Sequence, residues 1–129
     1  MISDLIKYRI SLAFETLDEA KLLFEKKHYR GSVNRLYYSC FYILLAILAK
    51  QNIKAQTHSG IRNEFHKNFI KTDILDRKFG IFYSHIFQKR HVGDYDDFKE
   101  INAEEVLPLI KEAEEFILAI NLLISNDLK

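Results

Sequence analysis

Proline occurs once and glycine four times in 129 residues, so very little in this chain interrupts a helix. The scarcity of both argues against a turn-rich sheet and against a disordered Pro- and Gly-rich chain. Cysteine also occurs once, at Cys40. No internal disulfide can form, which fits a reducing cytoplasm. An excess of one charge is lacking too. The formal net charge is +1, so no bulk basic field announces nucleic acid, and any such contact has to be local. The most apolar stretch, Leu36 to Ala49, spans 14 residues, short of the roughly 18 or more that cross a membrane. The opening "MISDLIKYRISLAFETLDEAK" carries charges throughout and has no signal-peptide apolar block. These absences predict a cytoplasmic protein without a membrane span.

The common chemical motifs are missing as well. No G-x-x-x-x-G-K-[ST] or G-x-G-x-x-G cradle is present, nor a G-x-S-x-G elbow. There is no C-x-x-C and no H-E-x-x-H, and no two of His28, His58, His66, His85 and His91 stand four apart on a helix. Neither a metal site nor a bound cofactor is expected.

What is present is helical periodicity, and nearly half the chain is apolar. Five segments can be placed. Ile6, Ile10, Ala13, Leu17, Ala20 and Phe24 recur at steps of four and three, predicting a helix from about Ser3 to Lys27 with Ser3 as its cap. The second, from about Gly31 to Asn52, contains "LYYSCFYILLAILA" and is apolar on nearly every face, so it is expected at the centre or shared with a second chain. A third is opened by Thr57 and runs to about Lys71, with Ile61, Phe65 and Phe69 on one side. The fourth begins near Asp73 or Asp76 and ends near Arg90, with Gly93 suited to a chain reversal. The fifth opens around Asn102, which forms a capping-box pattern with Glu105, although Pro108 predicts a later start or a kink. Its acids, Glu104, Glu105, Glu112, Glu114 and Glu115, read as a solvated face. The expected fold is all-α, an antiparallel four- to five-helix bundle, as one domain over residues 1–129.

Three polar groups interrupt this pattern. In "KRHVGDYDDF", Arg90 at a helix end offers a planar five-donor fork suited to phosphate or carboxylate. Asp94 is placed to orient that fork, and Tyr95 to stack or donate a hydrogen bond. A plain C-cap with Arg90 paired to Asp94 explains the same residues. In "NRLYYSCFY", Arg35 and Ser39 stand one turn apart, as do Tyr38 and Tyr42, while Tyr37 and Tyr42 fit buried rings with hydroxyls on backbone carbonyls. In "THSGIR", Thr57 caps a helix with His58 in its first turn, which suits either an anion or a simple cap.

Together, "NRLYYSCFYILLAIL", "THSGIRNEFHKNFIKTDILD", "FQKRHVGDYDDF" and "AEEVLPLIKEAEEFI" resemble, in order, the HEPN domain family. More narrowly they resemble its short stand-alone members with R-x-x-x-D-Y at the end of the fourth helix. The resemblance covers about Val33 to Ile120. It implies a helical bundle that usually dimerises, and for many members metal-independent RNA cleavage. It also implies a minimal nucleotidyltransferase as the partner that neutralises a toxin. The family motif is an arginine, four to six residues, then a histidine. Arg90 matches the arginine, but Tyr95 stands where histidine would follow. Tyrosine, with a pKa of about 10, is a poor base near neutrality, which leaves His91 or His58 as candidate substitutes. Some members carry a tyrosine beside the motif that the partner enzyme adenylylates, and Tyr95 is the matching modification candidate.

The expectation is therefore a toxin-like, homodimeric protein acting on RNA. Arg90, Asp94, Tyr95 and His91 are its candidate catalytic residues, and Arg35, Tyr38 and His58 form the rim that touches RNA or nucleotide. A non-catalytic nucleotide-binding or docking subunit is the alternative, and a purely structural dimerisation module a third.

Overall fold

Side chains at the helix starts determine most of the boundaries. The structure, a computed structural model, describes residues 3–95 and 100–126, with the side chains of residues 91–95 outside what it describes. Within that range lie α1 (Asp4–Glu25), α2 (Tyr29–Lys50), α3 (His58–Phe65), α4 (Arg77–Tyr95) and α5 (Ala103–Ser125). Ser3 Oγ accepts from the Ile6 amide at 3.2 Å, and Thr57 Oγ1 from the Gly60 amide at 2.9 Å. At α5 the capping box is complete: Asn102 Oδ1 accepts from the Glu105 amide at 3.0 Å, and Glu105 Oε1 from the Asn102 amide at 3.2 Å. Each of these contacts satisfies a first-turn N–H that has no partner inside the helix.

The helix ends show how a glycine-poor chain turns. Lys27 and Asn52 take left-handed backbone angles, φ 65° and 57°, where glycine is usual. Behind them the amides of His28 and Ile53 reach back to the carbonyls of Leu23 and Leu48 at 2.8 and 2.9 Å, closing α1 and α2. α3 ends differently. It runs on into a π-helical turn, His66–Ile70, in which the Lys71 amide bonds to the His66 carbonyl at 2.8 Å.

Two expectations fail here. Gly93 makes no reversal; it lies inside α4, which continues to Tyr95, so Arg90 sits more than a turn before the helix end. An interior glycine costs a helix only about 1 kcal/mol, too little to end one that is otherwise supported. Pro108 does not delay the start of α5, which begins at Ala103 with Pro108 inside it. The carbonyl that Pro108 cannot serve belongs to Glu104, in an exposed first turn where water can satisfy it.

Long-range polar contacts define the arrangement. Lys50 Nζ donates to the Ile124 carbonyl, so α2 and α5 end at the same pole. Arg9 Nη1 donates to the Leu45 carbonyl at 3.4 Å, setting the start of α1 beside the end of α2. Lys21 pairs with Glu114 at 3.1 Å, tying α1 to α5, and Lys89 pairs with Glu105 at 2.8 Å, turning α4 back into α5. α1, α2, α4 and α5 therefore run up, down, up, down, with α3 and its π turn as a short side arm. α2 lies at the centre, buried along Leu36, Tyr37, Cys40, Ile43, Leu44 and Ile47. By length and composition α2 alone, among the described residues, would cross a membrane, but 61% of its most apolar window is packed inside the bundle. It is a core helix.

Candidate functional site

The polar interruptions of α2, α3 and α4 meet around one ring, Tyr37. Its side chain is fully buried, as its place on the inner face of α2 requires. Its hydroxyl, however, meets no backbone carbonyl among the described residues: Oη lies 2.7 Å from His58 Nδ1. The expectation of a carbonyl partner for Tyr37 is thus corrected, and the partner comes from a different helix.

His58 reaches that position because the Thr57 cap sets the first turn of α3 over α2. Its imidazole lies flat on Phe41, centroids 4.4 Å apart and planes within 12°, and meets the Tyr38 ring edge-on at 5.8 Å. Burial, then the charge of Arg90, lower the His58 pKa below its usual value, which favours the neutral ring at pH 7.

Arg90 comes from α4. Its guanidinium sits 4.9 Å from the centroid of Tyr37 and 6.0 Å from that of Phe87. Arg62, one turn after His58 on α3, sits over the same Phe87 at 4.5 Å. Two guanidinium groups therefore share one aromatic ring, an arrangement that holds both cations in place. Deeper, the buried Tyr83 ring packs 5.8 Å from Tyr37, and its hydroxyl interacts with that of Tyr37. Burial keeps both phenols above their usual pKa; Tyr83 is shifted the further, and the charge of Arg90 opposes the rise in each. Neither tyrosine ionises near neutrality.

The sequence-based candidates divide accordingly. Arg90, His58 and Tyr38 come together around Tyr37. Arg35 touches the group only through Tyr38, whose ring lies 5.3 Å from its guanidinium, and it turns toward α1 with Glu19 at 3.6 Å. Ser39, one turn from Arg35, is buried and donates to the Leu36 carbonyl at 2.8 Å. His91, Asp94 and Tyr95 are on the last turns of α4, and their side chains lie outside the described residues. Tyr37 and Arg62 are members that the sequence reading did not select. The spacing of His58 and Arg62, four apart in "THSGIR", places both on one face and is the signal that was available.

With the geometry in hand, comparison with known proteins is specific. The family model described as "HEPN domain" matches residues 6–123. The chain belongs to the HEPN domain family. A "UPF0332 protein" of Thermotoga maritima is 38% identical over 125 residues, covering 97% of this chain and 94% of the relative. "Putative toxin MJ0142" of Methanocaldococcus jannaschii is 33% identical over 108 residues, 84% of this chain and 74% of its own length. "Putative toxin MJ0605" of the same organism is 33% identical over 116 residues, 90% and 86% respectively. The three helices that build this site of the HEPN chain, α2, α3 and α4, fall inside the matched span.

Chemically, the group offers two cations for a phosphate, a neutral imidazole beside them, and aromatic faces suited to a base or ribose. Among the described residues no three histidine, cysteine or acidic side chains gather as ligands for a metal ion.

Proposed function

We propose that this chain is a toxin-like HEPN protein that acts on RNA in the cytoplasm as a metal-independent endoribonuclease, paired with a minimal nucleotidyltransferase that neutralises it. The observation that carries the reading is the Arg90 guanidinium seated on the Tyr37 ring beside His58. A phosphodiester passing through its cleavage transition state gains negative charge on the phosphoryl oxygens, and a fixed guanidinium stabilises that charge without a metal. Arg62, on the other ring that Arg90 approaches, gives a second cation for the same phosphate or the next one. The toxin names carried by two relatives support the same reading. In a symmetric homodimer two copies of the site would be presented to one RNA.

The experiment is expression of the chain alone, followed by RNA cleavage by purified protein in chelator. Growth arrest by the wild type, relief by Arg90→Ala, and metal-free cleavage lost in the same variant are the expected results. A second reading is supported by Tyr95 standing where the family motif has histidine: a non-catalytic subunit that binds a nucleotide or docks the nucleotidyltransferase. Tight nucleotidyltransferase binding with no cleavage by folded, unmodified protein would establish that reading instead.

A further inference from the structure

We propose that His58 is the catalytic proton acceptor of this site, supplied by α3 in place of the histidine that the motif on α4 lacks. The inference rests on the RNA-directed reading above and adds to it a residue and a proton path.

Three observations fix the imidazole as a working group. Its Nδ1 is engaged by Tyr37 Oη at 2.7 Å, and its plane is held against Phe41 at 4.4 Å, so the ring is locked in position and tilt. Its Nε2 makes no hydrogen bond among the described residues, which leaves that nitrogen for a ligand. Arg90 and His58 lie against the same Tyr37 ring, at 4.9 and 5.7 Å from its centroid, close enough for one bound nucleotide to span guanidinium and imidazole.

Tyr83 supplies an independent observation. Its fully buried hydroxyl interacts with that of Tyr37, the phenol that His58 meets. The role proposed for His58 requires the tautomer in which His58 Nδ1–H donates to Tyr37 Oη, with the Tyr37 proton then turned toward the Tyr83 oxygen. Tyr37 then plays the part that a carboxylate plays behind a catalytic histidine, fixing the tautomer, but without an anion. A neutral backing group leaves the imidazole uncharged at rest, in keeping with its lowered pKa beside Arg90.

The step balances as follows. His58 Nε2 takes the proton of the ribose 2′-hydroxyl, and the 2′-oxygen bonds to phosphorus as the bond from phosphorus to the 5′-oxygen breaks. The products are a 2′,3′-cyclic phosphate and a 5′-hydroxyl. The leaving oxygen takes its proton from water, and the imidazolium returns its own to the hydroxide so formed. While charged, the imidazolium keeps its Nδ1–H bond to Tyr37, so no side chain has to rearrange.

The test is metal-free cleavage of an end-labelled RNA oligonucleotide by the full chain, comparing wild type, His58→Ala, His58→Gln and Arg90→Ala. Removing the base should lower kcat by about 10²- to 10³-fold with KM little changed. Added imidazole should restore part of the rate to His58→Ala and none to Arg90→Ala. The wild-type rate should climb with pH below neutrality and then level, and that limb should vanish in His58→Gln. Cleavage at wild-type rates by His58→Gln, or a loss that imidazole does not repair while the pH limb persists, overturns the role of His58 and leaves the RNA reading standing. No cleavage by the wild type removes both. Should the variants fail to fold, nitrogen-15 NMR of wild-type His58 decides: an unprotonated Nε2 at pH 7 is required, and a protonated one overturns the proposal.

Discussion

At the scale of single residues, His58 is where burial and charge leave a measurable trace. Its pKa is lowered first by desolvation and then by Arg90, so the folded protein binds a proton there less readily than the unfolded chain does. As pH falls below the unfolded histidine value of about 6.5, the unfolded state gains the proton first and stability declines, until the lower folded value is passed. The sign is therefore a loss of stability on acidification. We expect the melting temperature of the wild type to drop further between pH 7 and pH 5 than that of His58→Gln, measured by circular dichroism at constant ionic strength. Equal drops would mean that Arg90 and the covering rings do not discriminate against the imidazolium. Arg90 and His58 were both legible as polar residues at odds with their surroundings. Tyr37 was not, because a tyrosine in an apolar helix looks the same in sequence whether its hydroxyl meets a carbonyl or a histidine.

Among the elements, the π turn and α4 meet at a close approach that favours glycine. His66 Nδ1 lies 3.0 Å from the Arg62 carbonyl and Nε2 3.2 Å from that of Gly80, so one imidazole ties the end of α3 to the first turn of α4. A Cβ at Gly80 would stand 3.1 Å from both His66 Nε2 and Ile70 Cγ1. Alanine ordinarily strengthens a helix by about 1 kcal/mol over glycine, but here the ring and a packed isoleucine have to move, and overpacking costs about 1–3 kcal/mol. Gly80→Ala should lower the unfolding free energy by about 1 kcal/mol on this balance. Gly31→Ala should raise it by about 0.5 kcal/mol, because its Cβ would meet only the tip of Leu23, 3.3 Å away and able to turn. Urea midpoints of the two variants moving in the same direction would contradict this account. The helices themselves were legible: apolar spacing placed all five, and Ser3, Thr57 and Asn102 were recognisable as caps. The π turn was not, since nothing in "HKNFI" departs from an ordinary helical pattern. Gly93 misled for a related reason. A glycine can end a helix or ride inside one, and only the packing of α4 decides between them.

For the whole molecule, the question is how a site on three helices is kept assembled. Phe116 of α5, fully buried, lies 5.6 Å from Tyr83 and stacks on it within 16°, with Phe65 at 5.5 Å and Phe82 at 5.7 Å. Tyr83 in turn packs against Tyr37, so an unbroken run of aromatic contacts joins the centre of the bundle to the ring under Arg90 and His58. This connection could not be read from sequence, because it depends on which faces of α4 and α5 turn toward each other. It has a consequence for mutants. Phe116→Ala removes a large ring from the junction of four aromatic side chains and should cost about 3–5 kcal/mol, against a total of about 5–15 kcal/mol for a domain of this kind. On the proposed function, its activity on RNA should fall in step with the folded fraction and recover when a stabilising osmolyte is added. Arg90→Lys keeps a cation but loses the planar fork, so its melting temperature should stay within a few degrees of wild type while metal-free cleavage drops at least tenfold. Thermal melts and cleavage rates measured on the same preparations separate the two. If Arg90→Lys instead melted as early as Phe116→Ala, the guanidinium would be a structural strut of the bundle, and the site would have to be sought elsewhere on its surface.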